Sequence, residues 1–358
     1  MSVLRIPAPL DPHVHLRGMD WSHKGTFASE TAAALAGGYW AVLDMPNTPP
    51  PTLTTEALAR KRAAIAAEAV CDWGLYFGAG RAVSSAQYTE VIRQVCGLKI
   101  YCNDTTGALA IDGQELRDAH FRAWPPQRPI AVHAEGETVA EVLALVRVHR
   151  VPTHFCHIST AEEIDLLAAA KADGLPVTLG VTPHHLFLTE DDLPTLGALG
   201  LMKPPLKTRA DRDRLWAAIE AGIIDVIESD HAPHTLAEKA AMPAPYGVPG
   251  LETTLPLLGL AVHEGRLTPS QIVELVAEAP RRIFKIAAPA ATYTILDLSA
   301  TYLIEAHSLR TACGWSPFAG WRVYGRVTAV TVRGRTVFDG ERILALPGEG
   351  RSVEQLDR

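Results

Sequence analysis

The sequence predicts a (β/α)8 barrel with a small β-rich module appended to it. Eight short apolar runs, near 9–15, 40–45, 73–79, 98–101, 129–133, 153–158, 176–182 and 225–229, each precede a helix-like stretch or a long loop. The intervening segments 27–36, 55–69, 140–149, 161–173 and 209–221 are rich in Ala, Leu and Glu at helical spacing. Such alternation makes a parallel sheet, and eight repeats close it into a barrel. A third observation is independent of hydropathy. His13, His15, Asn47, Lys99, His133, His157 and Asp230 all fall at or just beyond the ends of these runs, the rim where barrel active sites form. An open doubly wound sheet is the competing architecture, but no Gly-x-Gly-x-x-Gly loop follows any run.

Taken in order, the first run ends in Asp11-Pro12-His13-Val14-His15. Side chains two apart on a strand share a side, so both imidazoles can reach one metal ion, with a carboxylate completing the set. A lone His-x-His is more often a pair of hydrogen-bonded polar residues. The recurrence of Lys99, His133, His157 and Asp230 on later runs makes the metal site the stronger reading. After residue 287 the pattern changes. Residues 287–292 read as a linker, and the alternating segments 293–298, 321–327, 329–332 and 336–338 read as a β module with a turn at Arg333-Gly334-Arg335. The expected division is a barrel over 11–287 and a module over 288–358 joined by 1–10. About seventy residues bury too little for a large independent core, so the module is expected to pack on the barrel.

Composition excludes more than it assigns. A chain of 358 residues accommodates a barrel of about 250 residues and an appendage. With 33 Lys+Arg against 40 Asp+Glu the net charge is −7, without long runs of either sign, so neither nucleic acid nor an anionic membrane is an expected partner. No basic segment leads into an apolar core in the first twenty residues, and no apolar stretch spans a bilayer. The cytoplasm is the expected location. Cys71, Cys96, Cys102, Cys156 and Cys313 are odd in number and lack Cys-x-x-Cys spacing, which fits reduced thiols. Cys156, beside His157, could see a metal; the plain reading is a buried thiol.

These residues carry a resemblance. DPHVHLR (11–17), MPNT (45–48), GLKIY (97–101), VHAE (132–135), FCHIS (155–159), PHHL (183–186), SDHAPH (229–234) and GLET (250–253) resemble the dihydroorotase motifs of the cyclic amidohydrolase superfamily. The similarity runs in order over nearly the whole chain. HAEGETVAEVL, APRRIF and CGWSPF bring it nearest to the dihydroorotase domain of the multifunctional pyrimidine-synthesis polyprotein. Hydantoinases and allantoinases share the metal residues, whereas HVHLR, MPNT and DHAPH together are more selective. The resemblance implies two zinc ions per chain, one on His13, His15 and Asp230 and the other on His133 and His157. A carboxylated Lys99 and a hydroxide would bridge them. An ammonium between two dications is disfavoured, while a carbamate offers two oxygens. Taken alone, Lys99 could instead neutralise a neighbouring carboxylate.

The implied reaction is the interconversion of N-carbamoyl-L-aspartate and dihydroorotate, with Asp230 as general base and acid. Arg17, Asn47 and His234 would bind the substrate carboxylate, with Thr105 and Lys203 as further contacts. Each of the first three has a plain alternative: surface ion pair for Arg17, turn residue beside Pro46 for Asn47, orienting residue for His234. His154, His184, His185 and His231 read as hydrogen-bonded supports. Partners expected by resemblance are a second copy of the chain and aspartate transcarbamoylase. The alternatives in function are another cyclic-amide hydrolase, or a catalytically silent homologue that scaffolds the transcarbamoylase.

Departures from the family pattern lie close to the site. Gly18-Met19-Asp20 replaces the usual Glu-Pro-Gly, and Lys203 stands where relatives carry Asn or Arg. Gly180 stands where the polyprotein domain has a glutamate that joins a cysteine at an additional metal, so no third metal is expected. Residues 103–113 are Gly- and Thr-rich and could close as a lid, relying on hydroxyls because Thr106 replaces an aromatic residue.

Overall fold

The structure, a computed structural model, describes residues 3–107 and 109–355. Twelve strands are found among them. In chain order they are β1 (Val3–Pro7), β2 (Leu10–Val14), β3 (Ala41–Asp44), β4 (Asp72–Gly78), β5 (Gly97–Tyr101) and β6 (Ile130–His133). They continue with β7 (Thr153–Phe155), β8 (Val177–Val181), β9 (Val226–Ile227), β10 (Tyr293–Leu303), β11 (Arg322–Val332) and β12 (Arg335–Phe338). Strands β2 to β9 pair in sequence order, all parallel, with helices between them. These strands are buried on both faces, which is why they read as continuous apolar runs rather than alternating ones.

The barrel closes just past β9. Val14 pairs with His231, and the His15 amide donates to the His231 carbonyl at 2.7 Å. The buried Asp11 carboxylate accepts from the amides of His13 (3.1 Å) and Ser229 (3.2 Å), so the first and last strands share one acceptor below the rim. Helices start where hydroxyls satisfy free N–H groups. Thr26, Thr160 and Thr208 cap Phe27–Ala36, Ala161–Ala172 and Arg209–Glu220 with reciprocal capping boxes, each worth about 1 kcal/mol.

The second sheet is antiparallel in the order β1-β10-β11-β12, so both ends of the chain meet in it. The sequence divides β11 into 321–327 and 329–332; the structure makes it one strand of 11 residues. Ile295 pairs with Ala329 and Leu296 with Val327, leaving Thr328 bulged between them. The bulge breaks the two-residue period without ending the strand. Leu296, Val327, Val330 and Phe338 of this sheet belong to the same buried cluster as Leu43, Leu98, Val132 and Phe155 of the barrel. Helix Leu251–His263 lies against β11 at Gly259, where a Cβ would stand 2.1 Å from the Tyr324 carbonyl oxygen.

A smaller cluster, including Met202, Leu206, Val248, Trp315 and Phe318, underpins the rim loops. Trp315 Nε1 donates to the His234 carbonyl at 2.7 Å, so the CGWSPF segment anchors the DHAPH loop. No helix of the described residues is long and apolar enough to cross a membrane.

Candidate metal centre and active site

The end of β2 delivers His13 and His15 to one side, with ring centroids 5.4 Å apart. Both present Nε2 to the same atom, Asp230 Oδ1, each at 3.3 Å. All three residues are buried, and their ligand atoms lie within 4.8 Å of one another. His15 Nδ1 lies 2.7 Å from Asn47 Oδ1. That oxygen only accepts, so His15 carries its proton on Nδ1 and keeps a lone pair on Nε2.

His133 ends β6, and His157 lies two residues past β7. His133 Nδ1 and His157 Nε2 face each other at 3.1 Å, while Glu135 Oε1 holds His133 Nε2 at 2.9 Å. Sequence reading did not single out Glu135. Its position two residues beyond His133 was the available signal. His157 (φ 38°) and Asp230 (φ 45°) both adopt left-handed backbone, a strain of roughly 1–3 kcal/mol each that recurs at functional sites.

Lys99, in the middle of β5, is fully buried. Its Nζ lies 3.3 Å from Cys156 Sγ and 5.1 Å from the Tyr101 ring centroid. Among the described residues no carboxylate lies within ion-pair distance of it, so the reading of Lys99 as a neutralising partner finds no counterpart here.

The donor set fits divalent ions. Burial pushes His15 down to about 4. Burial also lowers His133, and burial together with the adjacent His133 lowers His157. These imidazoles are therefore neutral at pH 7, as ligands must be. Burial works to raise Asp230, but His13 and the bond to His15 outweigh it and hold the carboxylate ionised. His13 Nδ1 and His157 Nδ1 are buried with no hydrogen-bond partner among the described residues.

These groups open into a cavity lined also by Arg17, Asn47, Tyr101, Thr105, Thr106, Lys203 and Tyr246. Arg17 donates through Nε to the Pro233 carbonyl at 3.0 Å, but its buried Nη1 has no partner among the described residues. Burial pushes its pKa down only to about 10, so the charge persists at pH 7. Thr105 and Lys203 reach the cavity as the sequence suggests.

His234 differs from its expected place at the substrate. It lies behind Arg17, with Nδ1 3.2 Å from Lys24 Nζ and Nε2 3.0 Å from the Tyr246 carbonyl, and it does not line the cavity. Burial and the nearby Arg17 push it down to about 2, so it is neutral at pH 7. Asn47 does line the cavity, but both ends of its amide are used: Oδ1 by His15, and Nδ2 by the Thr106 carbonyl at 2.9 Å. Thr106 Oγ1 also donates to the Tyr246 carbonyl at 2.9 Å, so segment 103–113 is tied across the mouth; Ala108 of that segment lies outside the described residues.

Of the histidines read as supports, His154, His185 and His231 are hydrogen-bonded, whereas His184 Nε2 has no partner among the described residues. Tyr101, unforeseen, lines the cavity with a buried hydroxyl that has no hydrogen-bond partner among the described residues. Its two-residue spacing from Lys99 was the available signal. The fully buried Glu228 was also missed, and it fills the space above Gly180 that sequence reading left without a carboxylate.

A parallel barrel whose rim gathers buried histidines and an aspartate about one position has the build of a metal-dependent amidohydrolase. L-hydantoinase from Arthrobacter aurescens matches with a TM-score of 0.91 over 97% of this chain and 88% of its own, at 25% identity. An inactive dihydroorotase-like domain of a CAD-like multifunctional protein from Chaetomium thermophilum matches with a TM-score of 0.81 over 98% of this chain and 99% of its own, also at 25% identity. Multifunctional protein CAD of Squalus acanthias is 42% identical over 98% of this chain, which spans only 16% of that protein. Dihydroorotase of Halobacterium salinarum is 38% identical over 98% of this chain and 89% of its own length. No family model matches. The chain belongs to the dihydroorotase family.

Proposed function

We propose that the protein catalyses the reversible, metal-dependent cyclisation of N-carbamoyl-L-aspartate to dihydroorotate in pyrimidine biosynthesis. The observation that carries this reading is one cavity joining the His13, His15, Asp230 cluster to a buried guanidinium whose Nη1 has no partner among the described residues. A hydantoin ring without a carboxylate has no use for that charge; a dihydroorotate carboxylate does.

His13, His15 and Asp230 would hold one zinc ion and His133 and His157 a second, with Lys99 reaching both as a carbamate. Bound divalent ions supply Lewis acidity toward the ring carbonyl and lower the pKa of a bound water to about 7. Asp230 takes the proton from the attacking water and delivers it to the ring nitrogen as the carbon–nitrogen bond breaks, and the reverse order closes the ring. Arg17 anchors the substrate carboxylate, supported from behind by His234. Lys203 and Thr105 complete the polar wall, and segment 103–113 excludes water.

A silent scaffold would have no need of this convergence of neutral imidazoles, and that favours a working site. The barrel 11–287 carries the chemistry and the terminal module braces it, in a cytoplasmic enzyme that forms homodimers or associates with aspartate transcarbamoylase. Turnover of dihydroorotate beside hydantoin and allantoin, with zinc measured on the same sample, tests the assignment: preference for dihydroorotate supports it and preference for either other ring overturns it.

A further inference from the structure

Glu228 directly follows β9 and is fully buried. Its Oε1 accepts from the His157 amide at 2.7 Å and lies 3.6 Å from His13 Nδ1. Its Oε2 lies 3.2 Å from His154 Nε2. One carboxylate therefore lies beside a ligand of each proposed ion: it accepts from the left-handed backbone of His157 and faces the His13 ring at ion-pair distance. The space for it exists because the neighbouring strand carries glycine. Gly180 pairs with Val226, and a Cβ at 180 would stand 2.5 Å from Glu228 Oε1.

We infer that Glu228 is the positioning residue of the metal centre: it orients the His13 ring so that Nε2 faces Asp230, and it fixes the His157 backbone so that its Nε2 faces His133. The inference rests on the metal reading given above. The His13 tautomer with its proton on Nδ1, the nitrogen that faces Glu228 at 3.6 Å, leaves the lone pair on Nε2 for the metal. Glu228, His13 and Cys156 also place ligand atoms within 4.8 Å of one another. Both Glu228 oxygens are already engaged, however, and Cys156 Sγ is held by Lys99 Nζ. On this inference the carboxylate serves ligands rather than acting as one, and the count of bound ions decides between the two.

The test compares wild type, Glu228→Gln, Glu228→Ala, and Glu228→Ala combined with Gly180→Glu. Zinc stoichiometry and affinity are read by chelator competition, and kcat and KM for dihydroorotate are read separately. Wild type is expected to hold two zinc ions. Glu228→Gln keeps the shape but turns an amide N–H toward one of the groups the carboxylate accepts from. It is expected to weaken zinc affinity by about 10- to 100-fold, the usual effect of losing a partner of a metal-bound histidine. It should lower kcat with KM within about twofold, because Arg17 is untouched. Glu228→Ala should lose more, and Gly180→Glu in that background, which returns a carboxylate to the same space from β8, should recover kcat at least tenfold with two zinc ions bound and no third.

Unchanged zinc affinity in Glu228→Gln, alongside a two-zinc wild type, would overturn the role of Glu228 alone. A third tightly held ion in wild type, lost in Glu228→Gln, would also overturn it by making the residue a ligand. A wild type that binds no divalent ion would overturn the metal reading and this inference with it.

Discussion

Asn47 Oδ1 lies 2.7 Å from His15 Nδ1, which joins the loop after β3 to a proposed metal ligand at the end of β2. The same amide holds the Thr106 carbonyl at 2.9 Å. Asn47 thus couples the ligand set to the segment across the cavity mouth. Asn47→Ala is expected to weaken zinc binding about 10- to 100-fold as well as reduce turnover. Asn47→Asp keeps the acceptor for His15 but loses the donor to Thr106, so it should retain zinc while loosening segment 103–113. Hydrogen exchange of that segment and zinc analysis together separate the two effects. Full zinc affinity in Asn47→Ala would show that the bond to His15 is dispensable.

Removing a ligand from the second group should leave a folded, inactive protein. His133→Ala and His157→Ala are each expected to reduce bound zinc from two ions toward one and to abolish dihydroorotate turnover. Circular dichroism should remain that of the wild type, because the barrel core lies below the rim. Wild-type turnover in either variant contradicts a binuclear site.

Lys99→Ala should lose activity that small carboxylates partly restore, since they can enter the vacated space as a bridge. An X-ray structure of the zinc-loaded protein with an uncarboxylated Lys99 ammonium between the ions would contradict the carbamate.

Arg17→Lys retains the charge and loses the planar fork. A lost charge-assisted contact of this kind is worth about 1.5–3 kcal/mol, or roughly 10- to 150-fold in kcat/KM for dihydroorotate. An uncharged cyclic imide should change far less. Equal losses on both substrates would mean that Arg17 supports the fold or the metal centre instead of the carboxylate.

Acid should destabilise the metal-free protein through its buried histidines. Burial pushes His15 and His185 down to about 4 and His234 to about 2, and it lowers His133, His157 and His184 as well. A histidine that stays neutral when folded but protonates near 6.5 when unfolded contributes full stability above pH 6.5. That contribution is lost as pH falls toward the folded pKa. Asp11 and Glu252, each pushed up to about 7 by burial, act in the opposite sense between about pH 4 and 7. Burial raises Asp72 and Glu354 in the same sense and lowers His120 with the other histidines, so seven histidines outweigh four carboxyls. The Tm of chelated protein should therefore fall between pH 7 and pH 5, and a rise over that interval would contradict this balance.

Much of the barrel was legible because its strands are buried on both faces and the proposed histidine and aspartate ligands sit at or just past strand ends; Lys99, which the sequence places at such an end, lies instead in the middle of β5. His13, His15, His133, His157 and Asp230 converge as their spacing suggests. What escaped depended on neighbours distant in sequence. Glu228 reads as the end of an apolar run, and its role emerges only when β8 brings Gly180 against it. His234 carries a substrate-site motif, yet Lys24 and the Tyr246 carbonyl hold it behind Arg17. The single strand β11 was hidden by its bulge at Thr328, which interrupts the alternation that sequence reading follows.

The most direct measurement is zinc content and dihydroorotate turnover on one preparation, before chelation, after chelation and after zinc is returned. About two zinc ions per chain are expected, with turnover lost when they are removed and restored when they are returned. Undiminished turnover in the metal-free protein, or a fully zinc-loaded protein that leaves both dihydroorotate and N-carbamoyl-L-aspartate unchanged, would contradict a metal-dependent dihydroorotase.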